Sequence, residues 1–247
     1  MPVLKIYKPI GKTPLDMIHF IKDNYTQFKD SKMSYAGRLD PMAHGLLIIL
    51  TDEDCKNQHM YHNLDKSYTF ELLIGVSTDT YDILGLITQN CKKHFNLNMD
   101  LTIKTIKGFE GKQKQYYPPF SSQRINGKPL WYYAKNNLMH KVIVPSKIIT
   151  IENIQFLLLK NICKNEILDK LKLSIKDLGN TNNFRQEQIL KSWNHLSDIN
   201  YYSITLSADV TSGTYIRTLC NDIGNKLNIP CLALDIYRDR IHNYYLD

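Results

Sequence analysis

The sequence predicts an α+β protein, on three observations. Apolar residues recur at helical spacing in some segments and alternate with polar residues in others, so both helices and strands are expected. Strands and helices follow no regular alternation, which argues against a doubly wound parallel sheet. The 247 residues, 43% of them hydrophobic and 22% charged, suffice for one folded domain with a substantial core.

The N-terminal half predicts strands separated by short helices. Residues 3–7 favour a strand, and Thr13-Pro14 predicts a helix start because a hydroxyl cap precedes a proline in the first turn. The aliphatic run at 46–51 is typical of a buried strand, and acidic residues favour a helix over 52–63. The further predicted elements are a strand over 68–74, helices over 99–109 and 129–138, and a long strand over 148–160.

The C-terminal part contains the clearest period-two pattern. Residues 203–210 alternate polar and apolar side chains, which predicts a half-buried strand. A helix is predicted to follow, with Thr214 as its N-cap and its end at 227, and a last strand over 231–237. Residues 164–197 are polar and Asn-rich with a weak helical pattern, and we interpret the stretch at about 160–200 as an insertion.

The positive charge is concentrated in one segment. The chain has 31 basic and 24 acidic residues, a net charge of +7. Residues 104–147, here called the basic segment, have nine basic residues and one acidic residue among several aromatic side chains. Basic residues interleaved with aromatic rings suit a phosphate backbone and unstacked bases, and therefore favour a nucleic-acid partner. A solvated lysine-rich face is the alternative interpretation.

Cysteine usage and hydropathy indicate a protein of the cytoplasm. None of the five cysteines is paired at metal-binding or redox spacing, so reduced thiols are expected. The longest aliphatic run falls far short of the ~20 residues that a membrane helix needs, and no secretory signal is evident. His59 and His62 lie one helical turn apart but have no further ligand nearby, so no metal is predicted.

Asp40 occupies the most unusual loop. It lies in the run AGRLDPMAHG at 36–45, where a proline follows it and glycines stand on either side. From the pattern alone two roles stay open. The carboxylate caps a turn, as Asp before Pro often does, or it is a catalytic group held by a rigid loop beside a buried strand.

Six short motifs follow one another along the chain. They are KPIGKT at 8–13, GRLDPMAHG at 37–45, KSY at 66–68, TDTYDILG at 78–85, PPFSSQRINGKPL at 118–130 and GTYIRTLCNDIG at 213–224. In this order they resemble the motifs of the TruB-type tRNA pseudouridine-55 synthases. The resemblance extends over most of the chain outside the predicted insertion. It implies the pseudouridine synthase fold, a central mixed and mostly antiparallel sheet flanked by helices and loops.

The resemblance implies an isomerase that uses neither cofactor nor metal. The carboxylate of Asp40 is then the essential catalytic group, Arg217 keeps it charged, and Tyr68 stacks on a flipped-out base. Sequence leaves open whether Asp40 attacks the base, attacks the sugar or removes a sugar proton. The implied residues that bind the nucleotide or the surrounding RNA are Tyr35, Lys66, Asp82, Arg124, Tyr215 and Ile236. Tyr35 stands where the family has a histidine, and Arg124 where a lysine is usual.

The whole chain, residues 1–247, is expected to be one catalytic domain without the C-terminal PUA domain of many relatives. Affinity for the tRNA T-arm would then depend on the basic segment, and a monomer is expected. Two alternatives differ in class or target. One is a tRNA-binding and folding module with dispensable catalysis, and the other is a synthase that acts on a different RNA, including one directed by a guide RNA.

Overall fold

The computed structural model describes residues 3–178 and 184–246, in which helices and strands are mixed. The strands are β1 (Leu4–Lys8), β2 (Met33–Ala36), β3 (His44–Thr51), β4 (Lys66–Ile74), β5 (Val76–Thr78), β6 (Ile87–Asn90), β7 (Gly111–Tyr116), β8 (Arg124–Ile125), β9 (Lys128–Pro129), β10 (Ser146–Cys163), β11 (Asn200–Val210), β12 (Cys231–Ile241) and β13 (Tyr244–Tyr245). The helices are α1 (Pro14–Asn24), α2 (Gln58–His62), α3 (Met99–Lys107), α4 (Leu130–Lys135), α5 (Lys164–Asp177), α6 (Gln186–Trp193) and α7 (Ile216–Leu227).

A nine-stranded sheet forms the centre of the molecule. Seven of its strands follow the order β1-β3-β12-β4-β11-β10-β7, while β13 pairs with β12 and β2 pairs with β3. Within the described ranges β12 runs parallel to β3 and every other pairing in the sheet is antiparallel. The predicted α+β class with a mixed, mostly antiparallel sheet is therefore confirmed.

Most core residues lie between the sheet and the helices. Strand β11 alternates buried and half-buried residues, as its period-two pattern predicts. Leu72 of β4 and Leu206 of β11 are fully buried and belong to one apolar cluster with Leu219 of α7. Helix α1 packs Met17 and Ile21 on β3 in a smaller cluster. The sheet thus provides a rigid platform for the loops at its edge.

Helix starts show one correct and one wrong prediction. Thr13 caps α1 as predicted, because its Oγ1 accepts a hydrogen bond from the Asp16 backbone N–H at 3.1 Å and the Asp16 carboxylate accepts from Thr13 N at 2.7 Å. The prediction that Thr214 caps α7 is wrong. Helix α7 has Tyr215 as its N-cap, and Thr214 instead donates its hydroxyl to the Thr211 carbonyl at 2.8 Å.

The predicted helix over 52–63 is divided into two pieces. A 3-10 helix covers Asp52–Asn57 and α2 follows as a single short α-helix. Asp52 lies at φ 47°, so the chain turns sharply where β3 ends and the 3-10 helix begins. Charge at a helix start indicates where a helix begins, but it does not distinguish the two helix types.

The segment at 164–197 contains helices α5 and α6. Its polar composition favours an insertion. Several of its apolar side chains are fully buried. Ile167, Leu171, Ile189 and Trp193 are all inaccessible to solvent and join the main apolar cluster. The described parts of the segment, 164–178 and 184–197, therefore contribute to the core rather than forming an external appendage, while 179–183 lie outside the described residues.

Candidate active site

Asp40 lies in the turn between β2 and β3, at residues 37–43. Its backbone carbonyl accepts a hydrogen bond from Ala43 N at 3.0 Å, and the carbonyl of Pro41 accepts from Gly11 N at 2.8 Å. Gly37 adopts φ 77°, a left-handed conformation that favours glycine. The turn is thereby fixed at both ends, and the carboxylate extends from a rigid loop.

A buried arginine holds this turn from below, and a buried lysine holds the neighbouring loop at 9–12. Arg238 of β12 donates from Nε to the Leu46 carbonyl at 2.7 Å and from Nη1 to the Arg38 carbonyl at 3.1 Å. Lys8 donates from Nζ to the Pro9 and Lys12 carbonyls at 2.9 and 2.8 Å. Burial lowers the pKa of Lys8 to about 7, although the charge of Asp40 opposes that shift. Sequence reasoning missed both roles, because a basic residue within a strand gives no sign that it is buried.

Arg217 forms the closest ion pair of the site. Its Nε donates to Asp40 Oδ2 at 2.7 Å, and Nη1 and Nη2 donate to the carbonyls of Thr80 and Phe120 at 2.7 and 3.4 Å. The Arg217 side chain is 4% exposed, whereas that of Asp40 is 36% exposed. Burial alone would lower the pKa of Arg217, but the charges of Asp40 and Asp82 reverse the shift and raise it. The arginine is therefore a fixed cation under a carboxylate that remains accessible.

Asp82 is a second carboxylate beneath the same arginine. Its Oδ2 lies 3.5 Å from Arg217 Nε, and its Oδ1 accepts from Thr80 Oγ1 at 2.7 Å and Leu84 N at 2.9 Å. Burial raises the pKa of Asp82 to about 6, against the opposing effect of the Arg217 charge. The loop around it is bound to β12, since Ile83 N donates to the Ala233 carbonyl at 3.1 Å.

A cavity of about 260 Å³ opens on one side of Asp40. Besides Asp40 its walls include Lys66, Tyr68, Tyr215 and Ile236. These residues come from three different parts of the chain: the start of β4, the start of α7 and the middle of β12. Sheet topology therefore brings together four residues that sequence reasoning names for the nucleotide pocket.

Two of these lining residues are held by main-chain contacts. Gln115 accepts from Tyr215 N at 2.8 Å and donates to the Tyr215 carbonyl at 3.0 Å, which fixes the entry to α7. Burial, and secondly the charge of Asp40, raise the pKa of Tyr215 to about 12. Lys66 donates to the carbonyls of His62 and Leu64, and burial lowers its pKa to about 8.

A second cavity, of about 530 Å³, opens on the other side of Asp40. The two cavities share a wall, to which Asp40 and Phe120 both contribute. Tyr35, which sequence reasoning places near the RNA, lines this second cavity together with Trp131 and Arg217. The carboxylate thus lies where two connected recesses meet.

Arg124 lies apart from both cavities. It is exposed on the hairpin of β8 and β9, where Nη1 donates to the Gly127 carbonyl at 2.7 Å. It is absent from the walls of either recess among the described residues. Any contact it makes would be with RNA outside the cavities.

The described residues contain no group of three or more His, Cys, Asp or Glu side chains placed to hold a metal ion. No helix in the described part of the chain is both long and apolar enough to cross a membrane.

Chains in two solved structures share this fold over nearly the whole length of the protein. A chain in a crystal structure of a Cbf5-Nop10-Gar1 complex superposes with a TM-score of 0.60 at 16% identity, covering 99% of this chain and 50% of that one. A chain from an H/ACA RNP bound to a substrate RNA containing 2'-deoxyuridine gives a TM-score of 0.58 over 99% of this chain and 49% of that one, also at 16% identity. At this identity the similarity establishes the fold.

Sequence similarity assigns the chain to a family. The model of the TruB family pseudouridylate synthase N-terminal domain matches residues 25–177, and the chain belongs to this family. A relative named tRNA pseudouridine synthase B from Bacillus subtilis is 29% identical over 99% of this chain. One of the same name from Mycoplasmopsis pulmonis is 31% identical over 94% of it. The chain spans 66% of the length of each of these two relatives.

Proposed function

We propose that the protein is a tRNA pseudouridine synthase that isomerises the T-loop uridine at position 55. The observation that carries the proposal is the accessible Asp40 carboxylate, held 2.7 Å from a buried arginine at the junction of two cavities. Relatives that match nearly the whole chain are named tRNA pseudouridine synthase B, which supports the choice of tRNA as substrate.

The reaction needs no net oxidant or co-reactant. The bond between N1 and C1' of uridine breaks and a bond between C5 and C1' forms. C5 loses its proton and N1 gains one, either the same proton or one exchanged with water. Asp40 starts this rearrangement as an ionised carboxylate, and three modes remain open: attack on the base, attack on the sugar or removal of a sugar proton. In all three modes Arg217 holds the carboxylate in place, because its Nε donates to Asp40 Oδ2 at 2.7 Å.

The target base has to leave its stack to reach Asp40. The recess of about 260 Å³ lies inside the protein surface, and a base within an RNA helix or loop stack cannot enter it. Tyr68 is 7% exposed on the wall of this recess, where its ring can stack on the flipped base. Tyr215 and Ile236 line the same recess, and Lys66 supplies its polar side. Asp82 lines the neighbouring cavity and acts on the site through its contact with Arg217.

The basic segment supplies the surface for the tRNA T-arm in this proposal. Lys112, Lys114 and Lys128 are exposed, and Lys128 Nζ lies 4.3 Å from the centroid of the Tyr132 ring. Arg124 and Tyr35 extend this surface toward the flipped nucleotide. Cations next to aromatic rings can bind phosphates and bases together.

The protein is further proposed to act as a monomer in the cytoplasm, without cofactor or metal. Residues of one chain line both cavities, so that no second subunit is needed to complete them. The substrate is a tRNA, and the cysteines of the described chain are free thiols, as expected of a reducing compartment. Light scattering on the purified protein, alone and with tRNA, tests the oligomeric state.

The deciding experiment uses purified protein, an unmodified tRNA transcript and nucleotide-resolution mapping of pseudouridine. Wild-type protein is expected to convert the T-loop uridine at position 55, and Asp40→Asn is expected to abolish conversion while tRNA binding persists. Asp23→Asn makes the same chemical change at an exposed position of α1 and is expected to keep the wild-type rate.

Each other outcome has a defined meaning. Normal product from Asp40→Asn would remove Asp40 from the mechanism. Binding without conversion by the wild-type protein would favour a tRNA-binding and folding module. Conversion at another site or in another RNA, or only when a guide RNA is added, would reassign the substrate.

A further inference from the structure

The segment at 164–197 reaches the catalytic cavity, although it lies outside the six family-like motifs. Phe184 and Arg185, just before α6, form part of the wall of the 530 Å³ recess that also contains Asp40. Arg185 adopts φ 64°, a conformation that costs about 1 kcal/mol or more for a residue with a side chain. Such a conformation persists where surrounding contacts hold the residue firmly.

The Arg185 side chain contacts both the TDTYDILG loop and Phe120. Its Nη1 donates to Asp79 Oδ2 at 2.7 Å and its Nη2 to Asp79 Oδ1 at 3.2 Å, a two-point pairing. Its guanidinium carbon lies 4.5 Å from the centroid of the Phe120 ring. The side chain is only 15% exposed, so these contacts are largely shielded from solvent.

These two contacts adjoin the two main-chain carbonyls that accept hydrogen bonds from Arg217. Nη1 of Arg217 donates to the carbonyl of Thr80, the residue next to Asp79, and Nη2 donates to the carbonyl of Phe120 itself. Arg185 therefore links the two stretches of chain whose carbonyls, those of Thr80 and Phe120, orient the Arg217 guanidinium that pairs with Asp40. Loss of either acceptor would allow that guanidinium to rotate and shift the carboxylate.

The same segment secures the far end of the loop. The Trp193 indole N–H donates to the Gly85 carbonyl at 2.9 Å, and Ser192 Oγ accepts from Ile87 N at 2.9 Å. Asp79 itself bridges the loop, because its Oδ1 accepts from Leu86 N at 2.8 Å. The loop that contains Thr80 and Asp82 is thus fixed at both ends by contacts with the segment.

We propose that Arg185 is a positioning residue for the Asp40–Arg217 pair, and that the segment at 164–197 serves as its support. The proposal rests on the proposed function, since it assigns Arg185 to that reaction. Arg185 acts through Asp79 and Phe120 on Arg217 rather than on the RNA. Its removal therefore slows the chemical step more than it weakens tRNA binding.

The kinetic test compares Arg185→Gln with Lys191→Gln, which removes a positive charge from an exposed position of α6. With enzyme in saturating excess over tRNA, the single-turnover rate constant of Arg185→Gln is expected to fall by about ten- to a hundredfold, as for a small misplacement of a reacting group. The dissociation constant for tRNA is expected to change by less than threefold. Arg185→Lys keeps the charge but not the two-point pairing, and is expected to recover part of the rate.

Three results would overturn the proposal: an unchanged rate constant, an equal loss in Lys191→Gln, or weaker tRNA binding at an unchanged rate constant. A readout independent of activity is the Arg217 Nε–H signal in ¹⁵N-arginine-labelled protein. Its exchange with solvent is expected to accelerate at least fivefold in Arg185→Gln and to stay unchanged in Lys191→Gln. A wild-type protein without isomerase activity would defeat the proposed function alone, because the exchange measurement would still decide whether Arg185 orients Arg217.

Discussion

At the scale of single residues, the site separates an accessible carboxylate from its buried partners. Arg217 and Asp82 have side chains 4% and 7% exposed, and Asp40 stands above them with one oxygen on the Arg217 Nε. A buried cation between two carboxylates leaves one of them free to meet substrate while the other balances charge. Asp82 therefore influences Asp40 through Arg217.

This coupling predicts a dependence of rate on pH. Burial raises the pKa of Asp82 to about 6, so this carboxyl gains a proton as the pH falls through that value. Protonation removes one anion from beneath Arg217, and the single-turnover rate is expected to fall below about pH 6. The Asp82→Asn variant is expected to be slower at pH 7.5 and to lack this decrease.

Asp222 supplies the control, because burial raises its pKa to about 6 as well. The Asp222→Asn variant is expected to keep the decrease near pH 6. An unaltered pH profile in Asp82→Asn would assign the decrease to another group.

Sequence motifs predicted the positions of several site residues. The roles of residues that depend on burial in the folded protein could not be predicted in this way. Asp40, Tyr68 and Arg217 stand in motifs, and the fold brings Asp40 to a wall shared with each of the others. Lys8 and Arg238 are fully buried cations that hold main-chain carbonyls, and their neighbours in sequence do not reveal this. Only the sheet, which places β12 beside β3, brings Arg238 under the Asp40 turn.

At the scale of elements, the basic segment comprises several pieces, of which α4 borders the second cavity. Strand β7 is an edge strand of the sheet, and α4 presents Trp131 and Lys135 to the recess that contains Asp40. Sequence did not predict β7, because its residues GKQKQY are polar throughout. Its buried Gln115 packs inward to hold Tyr215, a use of a polar side chain that β-propensity does not anticipate.

Neutralising this surface is expected to weaken tRNA binding and reduce its salt dependence. In the variant Lys112→Gln, Lys114→Gln, Lys128→Gln and Lys135→Gln, each lost phosphate contact is expected to reduce the slope of log K against log salt by about 0.7–0.9. Filter binding at several salt concentrations measures the slope. Four exposed lysines elsewhere, Lys29, Lys32, Lys93 and Lys176, form a matched control that is expected to keep the wild-type slope. Equal slopes for the two variants would move the binding surface elsewhere.

At the scale of the whole molecule, the segment at 164–197 contributes to the core. Composition marks it as polar, because charged, amide and hydroxyl side chains outnumber apolar ones. Several of its apolar residues nevertheless lie on the buried faces of α5 and α6 and join the main apolar cluster. Hydrophobic content of a segment, averaged over its length, is therefore a poor guide to whether that segment is structural.

Truncating the largest of these side chains is expected to destabilise the whole domain. Trp193 is fully buried, so Trp193→Ala should lower the free energy of unfolding by about 3–5 kcal/mol through the cavity left behind. Leu173, on the same segment, is 64% exposed, and Leu173→Ala should cost less than about 1 kcal/mol. Urea denaturation measures both values. A small loss in Trp193→Ala would mean that the segment unfolds independently of the sheet.

The position of β12 affects how the protein folds during synthesis. This strand fills the place between β3 and β4, yet the ribosome makes it long after both of them. Until β12 emerges, the edges of β3 and β4 that it will occupy are unpaired, and both strands are rich in aliphatic residues. Such edges can pair with strands of other chains. The loop that contains Asp40 is among the first parts made, but Arg217 and Arg238 come near the end. We therefore expect nascent chains to depend on chaperones until β12 closes the sheet.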